Sequence, residues 1–190
     1  HDALPIFVED IGPLLPISNY GAMKLASEAA ISAAAESHLS RAHIFRFPNV
    51  IGTPATHGVI LDFVRKLRND PLRLPVLGDG TQQKCYLHVE ELVEAMIFIT
   101  ENAAEKVSIH NIGASDEGVT VRYIAEETVR VVAPGARIEF AGGSKGWVGD
   151  VPRFIYSVEK LARLGWHSRL GSAETVRKAV RQIAAQETGC

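Results

Sequence analysis

Tyr20 and Lys24 stand four residues apart in the run Pro16-Ile17-Ser18-Asn19-Tyr20-Gly21-Ala22-Met23-Lys24. On a helix that spacing puts both side chains on one face. A free phenol titrates near pH 10 and is a poor base at neutrality. A cation within about 4–6 Å favours its phenolate. Such a pair is a proton-transfer group suited to an alcohol. The bare pattern Y-x-x-x-K is also common by chance, as a half-buried aromatic beside a solvated lysine. Taken singly, the other polar candidates read as structural. Asn49 is a turn residue, Lys84 a solvated strand charge, and Asp150 a loop-stabilising carboxylate. His88 and His110 read as packing or hydrogen-bonding histidines, and Trp147 and Trp166 as core or interface aromatics. Cys85 is not called reactive on sequence alone.

These groups need elements to position them. Residues 1–17 are Pro-rich and aperiodic, which predicts a loop. Ser18 is an N-cap, and the Ala-, Glu- and Lys-rich stretch from Tyr20 to about Ser37 predicts a strong helix. Residues 41–50 predict a buried strand followed by a loop. A helix follows over 58–69, with Ile60, Phe63, Val64 and Leu67 on its inner face. Short strands are expected at 74–77 and 84–89, separated by the Gly78-Asp79-Gly80 turn. A helix with an acidic start covers 89–100, a strand 107–112, and a helix begins at Thr120 and runs to about Val132. The remaining expectations are a strand at 137–140, a short helix from Ser157 to about Gly165, and a last helix from Ser172 to about Gln186. Strands alternating with helices argue for an α/β fold.

The chain has 190 residues, 46% hydrophobic and 22% charged, enough for one large domain or two small ones. Its 20 Lys and Arg against 22 Asp and Glu leave a net charge of −2, a poor match for a nucleic-acid partner. No apolar run reaches the length of a membrane span. Two cysteines, Cys85 and Cys190, make no disulfide framework and suit a reducing cytoplasm. The sequence contains no glycine-rich dinucleotide fingerprint, no P-loop, no zinc-ligand spacing and no G-x-S-x-G elbow. The opening His1-Asp2-Ala3-Leu4-Pro5 is unlike a signal peptide, and the chain reads as entered part-way through something longer.

Around the Tyr20–Lys24 pair the neighbours become specific. The run Pro16 to Glu28 resembles the active-site helix of extended short-chain dehydrogenases/reductases, the nucleotide-sugar epimerase/dehydratase family. The resemblance continues in order through Arg46-Phe47-Pro48-Asn49-Val50-Ile51-Gly52, His57 to Phe63, and Leu77-Gly78-Asp79-Gly80-Thr81-Gln82-Gln83-Lys84-Cys85-Tyr86-Leu87-His88-Val89. Asn111-Ile112-Gly113, Gly149-Asp150-Val151 and Leu164-Gly165-Trp166 complete it. Within the family, His57-Gly58-Val59-Ile60 and Lys145-Gly146-Trp147 with Gly149-Asp150-Val151-Pro152 are most similar to UDP-glucose (UDP-galactose) 4-epimerases.

The resemblance implies NAD as cofactor, a UDP-sugar as substrate, and epimerisation at C4 through a 4-keto intermediate. Tyr20 would be the catalytic acid and base. Lys24 would favour its phenolate and hold the nicotinamide ribose, and Phe47 and Pro48 would lie near the nicotinamide. Asn49 would meet the diphosphate. Val59 and Ile60 would grip the nucleotide, and Pro75, Val76 and Leu77 would lie beside the uracil. Lys84 stands where many members carry an Arg, so its grip on phosphate would lack the bidentate fork. Lys145 and Asp150 would complete the substrate set, Lys145 supplying a charge often carried by an Arg at the position of Trp147.

The implied architecture is a partial Rossmann-like domain without its first strands, joined to a small α/β substrate-binding domain. Residues 1–56 would belong to the first and 57–190 mainly to the second, with about 84–112 returning to the first. The glycine-rich loop and the catalytic Ser or Thr are expected upstream of His1, so the isolated chain is expected to be inactive. Self-association, or pairing with a separate N-terminal portion, would cover the cut sheet edge. The same family also holds 4,6-dehydratases and decarboxylases, and a non-catalytic nucleotide-sugar binding module would keep the pocket without turnover.

Overall fold

In a computed structural model the described residues are 6–143 and 155–189. Their elements run in the order β1 (Ile6–Phe7), α1 (Asn19–Ser37), β2 (Ala42–Arg46), β3 (Asn49–Ile51), α2 (Val59–Asn69), β4 (Arg73–Val76), β5 (Gln83–Lys84), β6 (Tyr86–His88), α3 (Val89–Asn102), β7 (Val107–Asn111), β8 (Val119–Thr120), α4 (Val121–Val132), β9 (Arg137–Phe140), β10 (Ile155–Tyr156), α5 (Glu159–Leu164) and α6 (Ser172–Thr188).

Four strand pairs are parallel: β2 with β7, β3 with β6, β4 with β9, and β1 with β10. Only β5 with β8 is antiparallel among the described strands. Parallel neighbours need crossover connections, and the intervening helices supply them.

Where a strand followed by a loop is expected over 41–50, a second strand, β3, follows β2. Pro48 has no N–H to give a ladder, so pairing stops at Arg46 and resumes at Asn49 with a different partner. The expected strand at 84–89 divides, because Lys84 pairs with Val119 while Tyr86 pairs with Asn49. Residues 6–7 are not loop. They pair with β10, which the sequence did not announce.

The helices follow their end signals. Ser18 caps α1 by accepting from Gly21 N at 3.1 Å, and Thr120 caps α4 by accepting from Tyr123 N at 3.1 Å. Gly165 closes α5 in the left-handed conformation, at φ 111°.

The apolar interior forms two clusters. The first joins Ile60, Leu61, Phe63, Val64 and Leu67 of α2 to Leu74 and Val76 of β4, Ile124 of α4, Val176, Val180 and Ile183 of α6, and Tyr86. The second joins Leu87, Leu92, Ala95, Ile99, Ile112 and Leu161, with Phe45, Val50 and Trp166 packed against it. Each large apolar side chain so buried stabilises by about 1.5–3 kcal/mol.

α1 is different. Of its 19 residues only Ala35 is buried, while Tyr20, Met23 and Ile31 are exposed. A polar fork fastens it to β2: Arg46 Nε donates to Glu28 Oε1 at 2.9 Å and Nη2 to Oε2 at 2.6 Å. Among the described residues no helix is long and apolar enough to cross a membrane.

Candidate functional site

A cleft of about 910 Å³ opens where β3, the N-terminus of α2, the end of β4 and the turn before β5 meet. Tyr20, Phe47, Pro48, Asn49, Val59, Ile60, Val76, Leu77 and Lys84 all line it. They come from five segments spread over some sixty residues, so their meeting is a product of the fold.

Helix α1 brings Tyr20 to the cleft from its first turn, 73% exposed and therefore open to a ligand. Lys24, one turn later, holds its ammonium Nζ 5.4 Å from the centroid of the Tyr20 ring. That lies within the range of a cation–π contact. Lys24 does not itself line the cleft but reaches it through Tyr20. Phe47, 41% exposed, and Pro48 sit in the break between β2 and β3. Asn49 begins β3 with an exposed side chain, its Cα paired with that of Tyr86.

Residues 58–62 present the N-terminus of α2 to the cleft. Gly58 stands at its cap with φ 109° and supplies no capping side chain. Uncapped first-turn N–H groups and the positive end of the helix dipole favour an anion. Val59 faces the cleft half-buried, but Ile60 is 1% exposed and spends its side chain largely in the first cluster.

Pro75 is not brought to the cleft. β4 alternates exposed and buried, so Val76 points inward and Pro75 outward. The Pro75 carbonyl instead accepts from Lys66 Nζ at 3.3 Å. Lys145 and Asp150 lie outside the described residues, as does Trp147.

The structural readings of the lone residues fare as follows. Cys85 is 2% exposed, and burial with the nearby Asp116 carboxylate pushes its thiol up to about 11. Its Sγ donates to the Asp116 carbonyl, which makes it a packing residue. His88, 1% exposed, caps α3 and bonds Gln182 Oε1 through Nε2 at 2.9 Å. Trp166 packs on the second cluster.

Sequence alone gives Gln82 no role, although it stands in the run from Leu77 to Val89. It lines the cleft, as do Tyr86 and Thr53. An interior glutamine beside a glycine turn carries no periodic signal, because its importance depends on what faces it.

A sequence profile described as the NAD dependent epimerase/dehydratase family matches residues 2–113. The UDP-glucose 4-epimerase of Corynebacterium glutamicum is 31% identical over 183 residues, which cover 87% of this chain and 53% of that protein. An Arabidopsis thaliana trifunctional UDP-glucose 4,6-dehydratase/UDP-4-keto-6-deoxy-D-glucose 3,5-epimerase/UDP-4-keto-L-rhamnose-reductase is 26% identical over 169 residues, 88% of this chain and 24% of that protein. A crystal structure of a UDP-galactose 4-epimerase superposes with a TM-score of 0.82 at 35% identity, covering 97% of this chain and 59% of that one. The mixed α/β architecture with parallel strand pairs matches the Rossmann-like fold of these neighbours. The chain spans about half the length of the 4-epimerases it matches and a quarter of the plant enzyme.

Proposed function

Since the chain belongs to the NAD dependent epimerase/dehydratase family, we propose that it carries the acid–base pair and much of the nucleotide-sugar cleft of a 4-epimerase acting on UDP-glucose and UDP-galactose. The observation that carries the reading is the Tyr20 phenol on the cleft wall with the Lys24 ammonium 5.4 Å from its ring centroid. Likeness to the UDP-glucose 4-epimerase of C. glutamicum supports it.

Tyr20 takes the proton from the sugar 4-hydroxyl and returns it after the ring has turned over. Lys24 keeps a cation beside the phenol throughout. The residues present fit the nicotinamide end of the cofactor: a phenol open to the cleft, a cation against it, and the apolar lip of Phe47 and Pro48. NAD, when bound, supplies the hydride acceptor and donor for sugar C4. Asn49, Lys84 and the uncapped start of α2 hold the diphosphate. Val59, Val76 and Leu77 give the base its apolar walls, with Ile60 behind them.

On this reading residues 1–56 and about 84–112 form the cofactor side and the rest the substrate side, although Tyr86 packs in the first apolar cluster with α2 and Leu161 in the second with α3. The exposed apolar residues of α1 and its approach, Leu15, Ile17 and Met23, are then covered by self-association or by a separate N-terminal portion. A concentration-independent monomer in sedimentation would count against that.

Titration of the chain with UDP and with NADH tests the site. UDP binding that weakens in Lys84→Ala is expected, and absence of UDP binding would overturn the reading. Where turnover is present, Tyr20→Phe should lower it roughly 10²–10⁴-fold. Likeness to the plant trifunctional enzyme favours 4,6-dehydration as the second reading. Product mass separates the two, because epimerisation conserves it and dehydration removes one water. UDP binding without NADH binding would point to a module that binds without turning over.

A further inference from the structure

Gln82 is 3% exposed and lines the cleft, yet among the described residues neither its Oε1 nor its Nε2 has a hydrogen-bond partner. Buried polar groups in folded proteins are nearly always satisfied, and an exception at a cleft wall marks a place where a ligand completes the pairing. A carboxamide holds an NH2 donor group and a carbonyl acceptor side by side in a single plane. Here both are unspent.

The backbone that carries that side chain is held on both sides. The Gln82 carbonyl accepts from Val121 N at 3.0 Å, and the Gly80 carbonyl accepts from Arg122 N at 3.0 Å. Thr81 donates to Asp79 Oδ1 through its backbone N at 2.8 Å and through its hydroxyl at 2.6 Å. Gly78 makes the space: a Cβ there would lie 2.4 Å from Gln82 Nε2, and its φ of 78° already favours glycine. A site so fixed before ligand arrives is preorganised.

Resting on the proposed nucleotide-sugar cleft, we infer that Gln82 is the residue that reads the nucleobase, by pairing its carboxamide with the imide edge of a pyrimidine. Phosphate oxygens are acceptors only and would leave Oε1 unmatched. A uracil edge offers N3–H and an adjacent carbonyl in one plane, which the carboxamide complements with two hydrogen bonds. The cleft wall nearby is apolar, with Val76, Leu77 and Val121, as a flat ring requires.

The test is calorimetric titration of the wild type and Gln82→Met with UDP and with UDP methylated at N3. Methionine keeps the length of the side chain and removes both polar atoms, and circular dichroism checks that the variant folds. The substitution is expected to weaken UDP roughly ten- to a hundredfold. N3-methylation should weaken wild-type binding by a similar factor and cost the variant nothing further. Equal UDP affinity of variant and wild type would overturn the assignment while leaving the cleft intact. Equal discrimination against N3-methyl-UDP by both proteins would reduce Gln82 to a packing role. Failure of the wild type to bind UDP would instead remove the nucleotide-sugar reading, and the base-reading role with it.

Discussion

Replacing Glu28 by Gln should loosen α1 while leaving the rest of the molecule in place. Glu28 lies eight residues beyond Tyr20, roughly 12 Å along the helix axis. Its carboxylate takes two charge-assisted hydrogen bonds from Arg46, at 2.9 and 2.6 Å. The guanidinium also donates to the Glu9 carbonyl at 3.0 Å, so the fork ties α1, β2 and the approach to α1 together. The two side chains keep 19% and 22% of their exposure, and solvent screens the pair in part. A bidentate charged pair of this kind is worth on the order of 2 kcal/mol after that discount. Apolar packing does little to make up the loss, because α1 buries only Ala35. A double-mutant cycle of Glu28→Gln and Arg46→Met in urea should therefore return about 2 kcal/mol of coupling. Hydrogen exchange should rise across residues 19–37 and stay unchanged in α2, α4 and α6. A coupling below about 0.5 kcal/mol, or exchange that rises everywhere alike, would refute the claim that a polar fork holds the helix bearing Tyr20.

Cys85 should resist alkylation at pH 8 in the folded chain and react once denaturant is added, since its thiol is pushed up to about 11 and is 2% exposed. Mass spectrometry that finds it modified in native buffer would contradict this. Gly118→Ala should cost at least about 2 kcal/mol, because φ is 82° and a Cβ would come within 2.2 Å of the Lys84 carbonyl oxygen. A urea midpoint that does not move would disprove it. Burial lowers the pKa of His110, with Lys160 and His43 adding to the effect and Glu105 and Glu9 opposing it. The unfolded chain then binds more protons, so the stability His110 contributes is full above about pH 6.5 and falls as the pH drops toward the folded value. His110→Asn should flatten the change in urea midpoint between pH 7.5 and 5.5, and an unaltered slope would exclude His110 as its source.

Much of this molecule was legible before any coordinates. The ends of α1, α2 and α4 follow from Ser18, the apolar face of residues 59–67 and Thr120, because caps and periodicity are local signals. The division of 41–50 into two strands was harder to see, since it depends on which distant strand each half finds. The pairing of Phe7 with Tyr156 spans nearly the whole chain and leaves no trace in either two-residue strand. The family resemblance named most of the cleft wall, yet it placed Pro75 beside the base, and the outward direction of Pro75 depends on a pleat that a resemblance does not encode. It also gave no role to Gln82, which stands inside the run from Leu77 to Val89 and whose significance lies in an unmet pairing.

Strand β6 has only three residues, and all of them are buried. Tyr86 enters the first apolar cluster and Leu87 the second, while in the paired strand β3 Ile51 packs on the first and Val50 on the second. A single peptide bond therefore crosses from one core to the other, with no slack of linker between them. The two cores share a spine, as the leaves of a book do. A packing defect in either core is one residue away from the other, so damage to the first core should be felt in the second.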